Sequence, residues 1–318
     1  MALLWIAGIA AILLLAVIVI AFICYRMAFY QENRNPVPED VIRVPQGKIY
    51  EPYREAITNW TLQTRAMPRE DMYITSFDGL KLHGRYYEYA PDAPMELMFH
   101  GYRSSAEQDL SGGVQRCFSL GHSALIVDQR CSGESQGNVI TFGIYEHRDC
   151  LSWVDYILTR FGSNVQIILT GISMGAATVL TAAGKPLPAN VIGVLADCGY
   201  DSAKNIIREV IRQMKLPPRL AYPFVKLGAK LFGHFDLEET SPLEAMKTCT
   251  VPVLLFHGDA DSFVPCQMSQ NIYDACTSKK RLVIVPGAGH GLSFPADPEL
   301  YRQAMQEFFS ACQKNVSS

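Results

Sequence analysis

Hydrophobic and polar positions along the chain fall into three regimes. Residues Ala2 to Cys24 are apolar without interruption. As a helix rising 1.5 Å per residue, such a run reaches about 30 Å, enough to cross a bilayer. Residues 25–50 are polar and carry Pro36, Pro38 and Pro45, the composition of a juxtamembrane linker. Glu51 to Ala66 has Tyr53, Ile57, Trp60 and Leu62 near one helical face and is expected to pack against the domain rather than take part in chemistry. Residues 26–69 are thus a linker and helix that join an anchor (1–25) to a folded body.

From about residue 70, short apolar runs alternate with longer amphipathic ones. Met72 to Phe77 and Leu80 to Tyr89 flank Asp78-Gly79, the strongest short hairpin signal, so an antiparallel pair opens a sheet. Buried strands are expected at Met95–Phe99, Ser123–Val127, Val165–Thr170, Val191–Ala196, Val251–His257 and Arg281–Val285. Helices are expected near Glu107–Leu120, Ile144–Phe161, Ala176–Ala183, Cys266–Ala275 and Pro298–Ala311. Strands that alternate with helices imply right-handed crossovers and an α/β fold. Its mostly parallel eight-stranded sheet carries helices on both faces. Residues 200–248 break the rhythm with two helical pieces, Asn205–Ile211 and Ala221–Phe235, separated by Pro217-Pro218. Nearly fifty residues between core strands is too long for an ordinary loop. This segment reads as a helical cap inserted into a core of residues 70–199 and 249–318. Its Tyr222, Phe224, Phe232 and Phe235 either line a pocket or pack the cap on the body.

Composition narrows the class. The chain has 318 residues, and its formal net charge of −3 offers no basic footprint for nucleic acid. Nine scattered cysteines, without a C-x-x-C pair, suit free thiols in a reducing compartment. No Lys or Arg precedes the apolar run and no A-x-A site follows it, so it reads as an uncleaved, single-pass membrane anchor. Arg26, Arg34, Arg43 and Lys48 all lie on its C-terminal side, which places the large domain on the cytoplasmic side. The sequons at Asn59 and Asn315 carry no meaning in that compartment.

The candidate chemistry centres on Gly171-Ile172-Ser173-Met174-Gly175, which lies between an expected strand and an expected helix. In that context G-x-S-x-G reads as a nucleophile elbow, a tight turn that exposes the serine oxygen at the strand tip. A serine hydroxyl needs a base and a carboxylate that orients the base. His290 lies in Gly287-Ala288-Gly289-His290-Gly291 at the end of the last strand and is the candidate base. His100 and His257 each end a strand as His-Gly and suit loop orientation. His83, His122, His147 and His234 read as surface or structural residues. No histidine pair has metal-ligand spacing with a thiol or carboxylate, so no metal is expected. Asp261 is the favoured acid, with Asp259 holding the same loop and Asp197, at an earlier strand end, as the alternative. The oxyanion needs two backbone N–H groups. Met174, directly after the serine, supplies one. Tyr102, after His100-Gly101, is the expected second, with Arg103 the next choice.

On these residues the chain resembles the α/β-hydrolase superfamily over about residues 70–312. The order Ser173, Asp261, His290 is that family's order. His100-Gly101 resembles its oxyanion loop, and Asp128-Gln129-Arg130-Cys131-Ser132-Gly133-Glu134-Ser135 resembles its D-x-R-G-x-G-x-S loop, with Cys131 where a glycine is usual. The closer likeness is to membrane-anchored, Bem46-like and serine-aminopeptidase-like bacterial hydrolases. The resemblance implies a cofactor-free serine hydrolase that acts on esters, thioesters or small amides. Three other readings stay open. One is a peptidase whose Glu238 or Glu239 binds a substrate amine. Another is a deacylase of lipids or lipidated proteins at the membrane face. The last is a non-catalytic binding protein on the same scaffold.

Overall fold

The computed structural model describes residues 1–32 and 41–314. Arg34, Pro36, Pro38 and the sequon at Asn315 lie outside the described residues. The first helix, α1 (Ala2–Ala28), is apolar along its length, and most of its surface touches nothing. Its last turns are different. Ala21, Tyr25 and Phe29 are buried against the body. A 3-10 turn over Lys48–Tyr53 then leads into α2 (Arg54–Ala66).

The sheet has eight strands: β1 (Glu70–Thr75), β2 (Lys81–Tyr87), β3 (Met95–Phe99), β4 (Ser123–Asp128), β5 (Ile167–Ile172), β6 (Val191–Asp197), β7 (Val253–Gly258) and β8 (Lys280–Val285). Their spatial order is β1-β2-β4-β3-β5-β6-β7-β8. β1 and β2 pair antiparallel, β2 meets β4 antiparallel, and every later pairing is parallel. β3, β4 and β7 are buried at every position, as strands covered on both faces must be. That explains their unbroken apolar runs. A charged residue interrupts β3 at its second position, where Glu96 is fully buried. Its carboxylate accepts from Arg116, from Thr170 Oγ1 at 3.0 Å, and contacts His122 Nδ1 at 3.0 Å. Burial works to raise its pKa, but Arg116 and His122 outweigh that and hold it at about 2.

The covering helices are α3 (Ala106–Ser119), α4 (Glu146–Phe161), α5 (Met174–Ala182), α9 (Gln267–Ala275), the short α10 (Ser293–Ala296) and α11 (Pro298–Lys314). Residues 200–248 hold α6 (Ala203–Gln213), α7 (Pro218–Phe232) and α8 (Pro242–Met246). Pro218 opens α7 rather than only ending α6. At the first helical position its missing N–H costs nothing and its fixed φ suits a helix. The insertion also divides. α8 lies against α5, where a Cβ on Gly184 would come 2.6 Å from Ala245, whereas α7 lies against α1. Phe232, the last residue of α7, accordingly packs on α1 with its ring centroid 5.1 Å from that of Phe22, and just beyond the ends of the two helices Phe235 meets Phe29 at 5.2 Å.

Candidate active site

The turn between β5 and α5 is built by steric necessity. A Cβ on Gly171 would come 2.2 Å from the Gly175 carbonyl oxygen, and one on Gly175 would come 2.0 Å from that of Phe99. Only glycine fits at either position. Ser173 between them has φ 56° and ψ −115°, a conformation that costs a non-glycine residue of order 1–3 kcal/mol. Its N–H donates to the Asp197 carbonyl oxygen at 2.8 Å, which fixes the turn to the end of β6.

His290 reaches this serine from the loop after β8. Its Nε2 lies 2.9 Å from Ser173 Oγ and its Nδ1 lies 2.7 Å from Asp261 Oδ2. The Asp261 side chain is fully buried. Its Oδ1 accepts from the N–H groups of Phe263 at 2.8 Å and Val264 at 2.9 Å. Burial alone would raise the pKa of Asp261. Hydrogen bonds from His257 and His290, the charge of His290 and the Val264 N–H outweigh it and hold the carboxyl well below the usual range. The carboxylate accepts the Nδ1 hydrogen, and in the neutral ring that tautomer presents Nε2 as an acceptor to the serine. Asp259 is not part of this chain of contacts. Its Oδ1 accepts from the Gly287 N–H at 2.6 Å and joins the β7 and β8 loops. Asp197 also stands apart: its Oδ1 accepts from Ser293 Oγ at 2.6 Å, and burial raises its pKa.

The other histidines at strand ends are saturated. His100 Nε2 accepts from the Gln129 N–H at 3.0 Å, so Nδ1 carries the hydrogen and donates to the Gly101 carbonyl at 2.7 Å. His257 Nε2 donates to the Val264 carbonyl at 2.9 Å, and Nδ1 meets Ser269 Oγ at 2.7 Å. Neither ring has a nitrogen free for a substrate.

The loop after β3 is held by a residue that the sequence did not single out. Asp109 on α3 accepts from the Gly101 N–H at 2.8 Å and from Ser104 Oγ at 2.6 Å. Gly101 is thus committed. Neither the Tyr102 nor the Met174 N–H donates among the loop and turn hydrogen bonds of the described residues. Tyr102 and Arg103 are fixed from outside the sheet. The Tyr102 hydroxyl donates to the Ala28 carbonyl at 2.8 Å, and Arg103 Nη2 donates to the carbonyls of Met27 at 2.9 Å and Tyr30 at 3.1 Å. The Asp128–Ser135 loop buttresses the same region. Cys131 takes φ 68°, the left-handed conformation for which a glycine is the usual solution.

A cavity of about 320 Å³ opens beside Ser173 and His290. Its apolar wall is made by Trp60, Met98, Leu110, Leu195 and Phe294, and Tyr50 stands at the His290 side. Tyr50 also donates to the His290 carbonyl at 3.0 Å. The wall takes up one of the expected elements and leaves out another. The helix over residues 51–66 does more than pack: Ile57 and Trp60 form part of the cavity. The cap aromatics Tyr222, Phe224, Phe232 and Phe235 are not among its lining residues. Glu238 and Glu239 also lie outside it. Glu238 is bound by Tyr222, Lys204 and Lys226, and Glu239 pairs with Arg148. Cys198, Asp261 and His290 bring potential metal ligands within 4.8 Å of one another. Burial pushes the Cys198 thiol well above its ordinary pKa, and both His290 nitrogens already have partners, so the trio does not fit a metal.

Comparison with known proteins adds context to this geometry. Residues 97–304 match the model of a family described as the alpha/beta hydrolase family. The uncharacterized protein YqkD of Bacillus subtilis is 28% identical over 245 residues, which cover 76% of this chain and 79% of that protein. Among solved structures, an esterase of Pyrococcus furiosus aligns with a TM-score of 0.66 at 21% identity, covering 89% of this chain and 98% of the esterase. Est1E from Butyrivibrio proteoclasticus, solved with ferulic acid bound, aligns with a TM-score of 0.58 at 22% identity, covering 76% of this chain and 99% of its own.

Proposed function

The chain belongs to the alpha/beta hydrolase family, and from that premise we propose that it is a serine hydrolase that cleaves carboxylic esters or thioesters through an acyl-enzyme. The observation that carries the reading is the continuous line of contacts from Asp261 through His290 to Ser173 Oγ. In the first half-reaction Ser173 Oγ attacks the acyl carbon as its proton passes to His290 Nε2. Asp261 holds the Nδ1–H and stabilises the imidazolium. The oxyanion is received by the N–H groups of Met174 and Tyr102. Collapse breaks the ester C–O or thioester C–S bond, and His290 returns the proton to the leaving oxygen or sulfur. Water then repeats the sequence on the acyl-enzyme and frees Ser173. No cofactor enters any step.

We infer also that α1 is retained as a single-pass membrane anchor. Support comes from its last turns, where Ala21, Tyr25 and Phe29 are part of the folded body, so that removal of the apolar run would strip away buried contacts. The basic residues Arg26, Arg34, Arg43 and Lys48 on its C-terminal side favour a hydrolase domain on the cytoplasmic side.

A fluorophosphonate probe tests the nucleophile, with labelling expected in the parent chain and lost in Ser173→Ala. p-Nitrophenyl esters of graded chain length, run against aminoacyl-nitroanilides, test the bond type. Ester hydrolysis that persists undiminished in Ser173→Ala would overturn the reading.

A further inference from the structure

Helix α7 carries four distinct faces. Tyr222, Val225 and Ala229 are buried. Gly228 and Phe232 lie against α1, close enough that a Cβ on Gly228 would come 2.4 Å from the Ala21 carbonyl oxygen. Arg219, Lys226 and Lys230 form a basic edge. The remaining stripe is apolar. At about 100° per residue, Leu220, Phe224, Leu227 and Leu231 fall within about 60° of arc. Leu220 is 70% exposed and Leu231 44%. Met214 and Leu216, on the turn just before α7, are also exposed.

A stripe of this kind beside a water-facing surface would be anomalous, but its neighbour is α1. The contacts of α7 fall on Ala21, Phe22 and Tyr25, where the apolar run ends and Arg26 begins the polar segment. That is the depth at which a span meets the headgroups. An amphipathic helix with a leucine face and one basic edge, on which Lys226 also pairs with Glu238, suits the bilayer interface at that depth.

The site mouth is bonded on one side to the end of α6, next to the exposed Met214, and on the other to the end of α1. On one rim, Gln213 at the end of α6 donates to the carbonyls of Ser262 at 3.1 Å and Phe263 at 3.2 Å, and the Phe263 ring lies 5.1 Å from that of His290. On the other rim, Tyr102 and Arg103 donate to the carbonyls at the end of α1. We propose that α7 and the turn before it form a second membrane contact beside α1, so that the mouth rests on the bilayer and the site draws acyl esters dissolved in it. The substrate half of this proposal rests on the serine-hydrolase reading; the membrane contact does not.

The test uses the full-length chain in phosphatidylcholine–phosphatidylglycerol vesicles, with p-nitrophenyl butyrate as the water-soluble ester and p-nitrophenyl laurate as the bilayer-resident one. For the Leu220→Glu/Leu231→Glu variant, laurate turnover is expected to fall by about tenfold or more while butyrate turnover stays within about twofold. Equal losses on both esters, or no loss on either, would overturn the proposal. Ser173→Ala must abolish both activities. If both persist there, the hydrolase reading fails and takes the substrate half with it. The membrane contact is read separately from Leu220→Trp. Brominated phosphatidylcholine in the vesicles is expected to quench added emission beyond that of the parent chain. Emission from position 220 that stays unquenched would overturn the contact whatever the kinetics show.

Discussion

An aspartate–histidine pair lies at each of two opposite parts of the sheet, and the two pairs differ in what meets the far nitrogen of the ring. In the first, His290 Nδ1 is 2.7 Å from Asp261, and Nε2 faces the hydroxyl of Ser173. A hydroxyl can donate, so this ring can work unprotonated as a base. In the second, His83 Nδ1 is 2.9 Å from Asp128, but Nε2 faces Asp71 at 3.1 Å, with Glu134 at 3.9 Å. Carboxylates only accept, so this ring must donate at both ends. Burial works to lower the pKa of His83, but the hydrogen bond and charge of Asp128, with Asp71 and Glu134, raise it above the ordinary value. The same two side chains thus give a candidate proton shuttle in one place and a structural cation in the other, and the third group decides which.

The sharpest way to break this comparison is to remove each ring's working partner. Ser173→Ala or His290→Ala is expected to lower ester turnover by about 10⁴-fold or more. His83→Gln is expected to leave turnover of the folded enzyme within a few-fold. A loss on His83→Gln that rivalled His290→Ala, measured on protein shown to be folded by circular dichroism, would erase the distinction.

The aspartates give the next largest contrast. Asp261→Asn keeps the shape but presents an amide to Nδ1, which favours the wrong tautomer, and kcat should fall by about 10³- to 10⁴-fold. Asp128→Asn should act on stability instead. It leaves a buried imidazolium without its closest counter-charge, a change that costs about 3 kcal/mol. It also weakens the acceptors for the N–H groups of Ala106 and Glu134. Urea midpoints and kcat, taken on both variants, read the two effects separately.

Acidity sharpens the contrast, because the histidine and the aspartate titrate in opposite senses. His83 has a folded pKa raised above its unfolded value of about 6.5. Its contribution to stability is complete below that value and is lost as pH rises through the folded pKa. Asp261 has a depressed folded pKa. Its contribution is complete above about pH 4 and is lost as pH falls through the folded value. The parent chain should therefore lose more stability between pH 6 and pH 9 than His83→Gln does, and thermal midpoints across that range provide the check. A parallel slope in both proteins would mean that His83 is neutral in the fold.

What was legible in the sequence follows the same division between backbone demand and distant partnership. Ser173 sits where only two glycines permit the turn, and His290 sits in a glycine-rich loop at a strand tip, so each is marked by its neighbours. The strands of the parallel sheet were equally plain, because burial on both faces leaves unbroken apolar runs. Asp109 carries no such mark: its role comes from Gly101 and Ser104, and an aspartate in the first turn of a helix is common for reasons of the dipole alone. Trp60 is similar. Any large apolar residue on that face of α2 would serve for packing, and only the three-dimensional arrangement turns it into a cavity wall. His83 read as structural, but nothing near it in the chain announces Asp71 and Asp128 as joint partners.

The finest test of the comparison is Asp71→Asn, set against the same substitution at Asp128. Asp71 is 47% exposed, and its carboxylate reaches the ring from the solvent side at 3.1 Å. An ion pair in that position contributes about 0–1 kcal/mol, and the asparagine still offers an oxygen to Nε2. The thermal midpoint should barely move. The His83 titration, followed by its ring proton resonances, should nevertheless shift to lower pH, because one of the facing negative charges is gone. A substantial loss of stability in Asp71→Asn, comparable to that of Asp128→Asn, would mean that the outer carboxylate, and not the buried one, holds the cation. The rule that the third group sets the role of the ring would then extend from catalysis to stability.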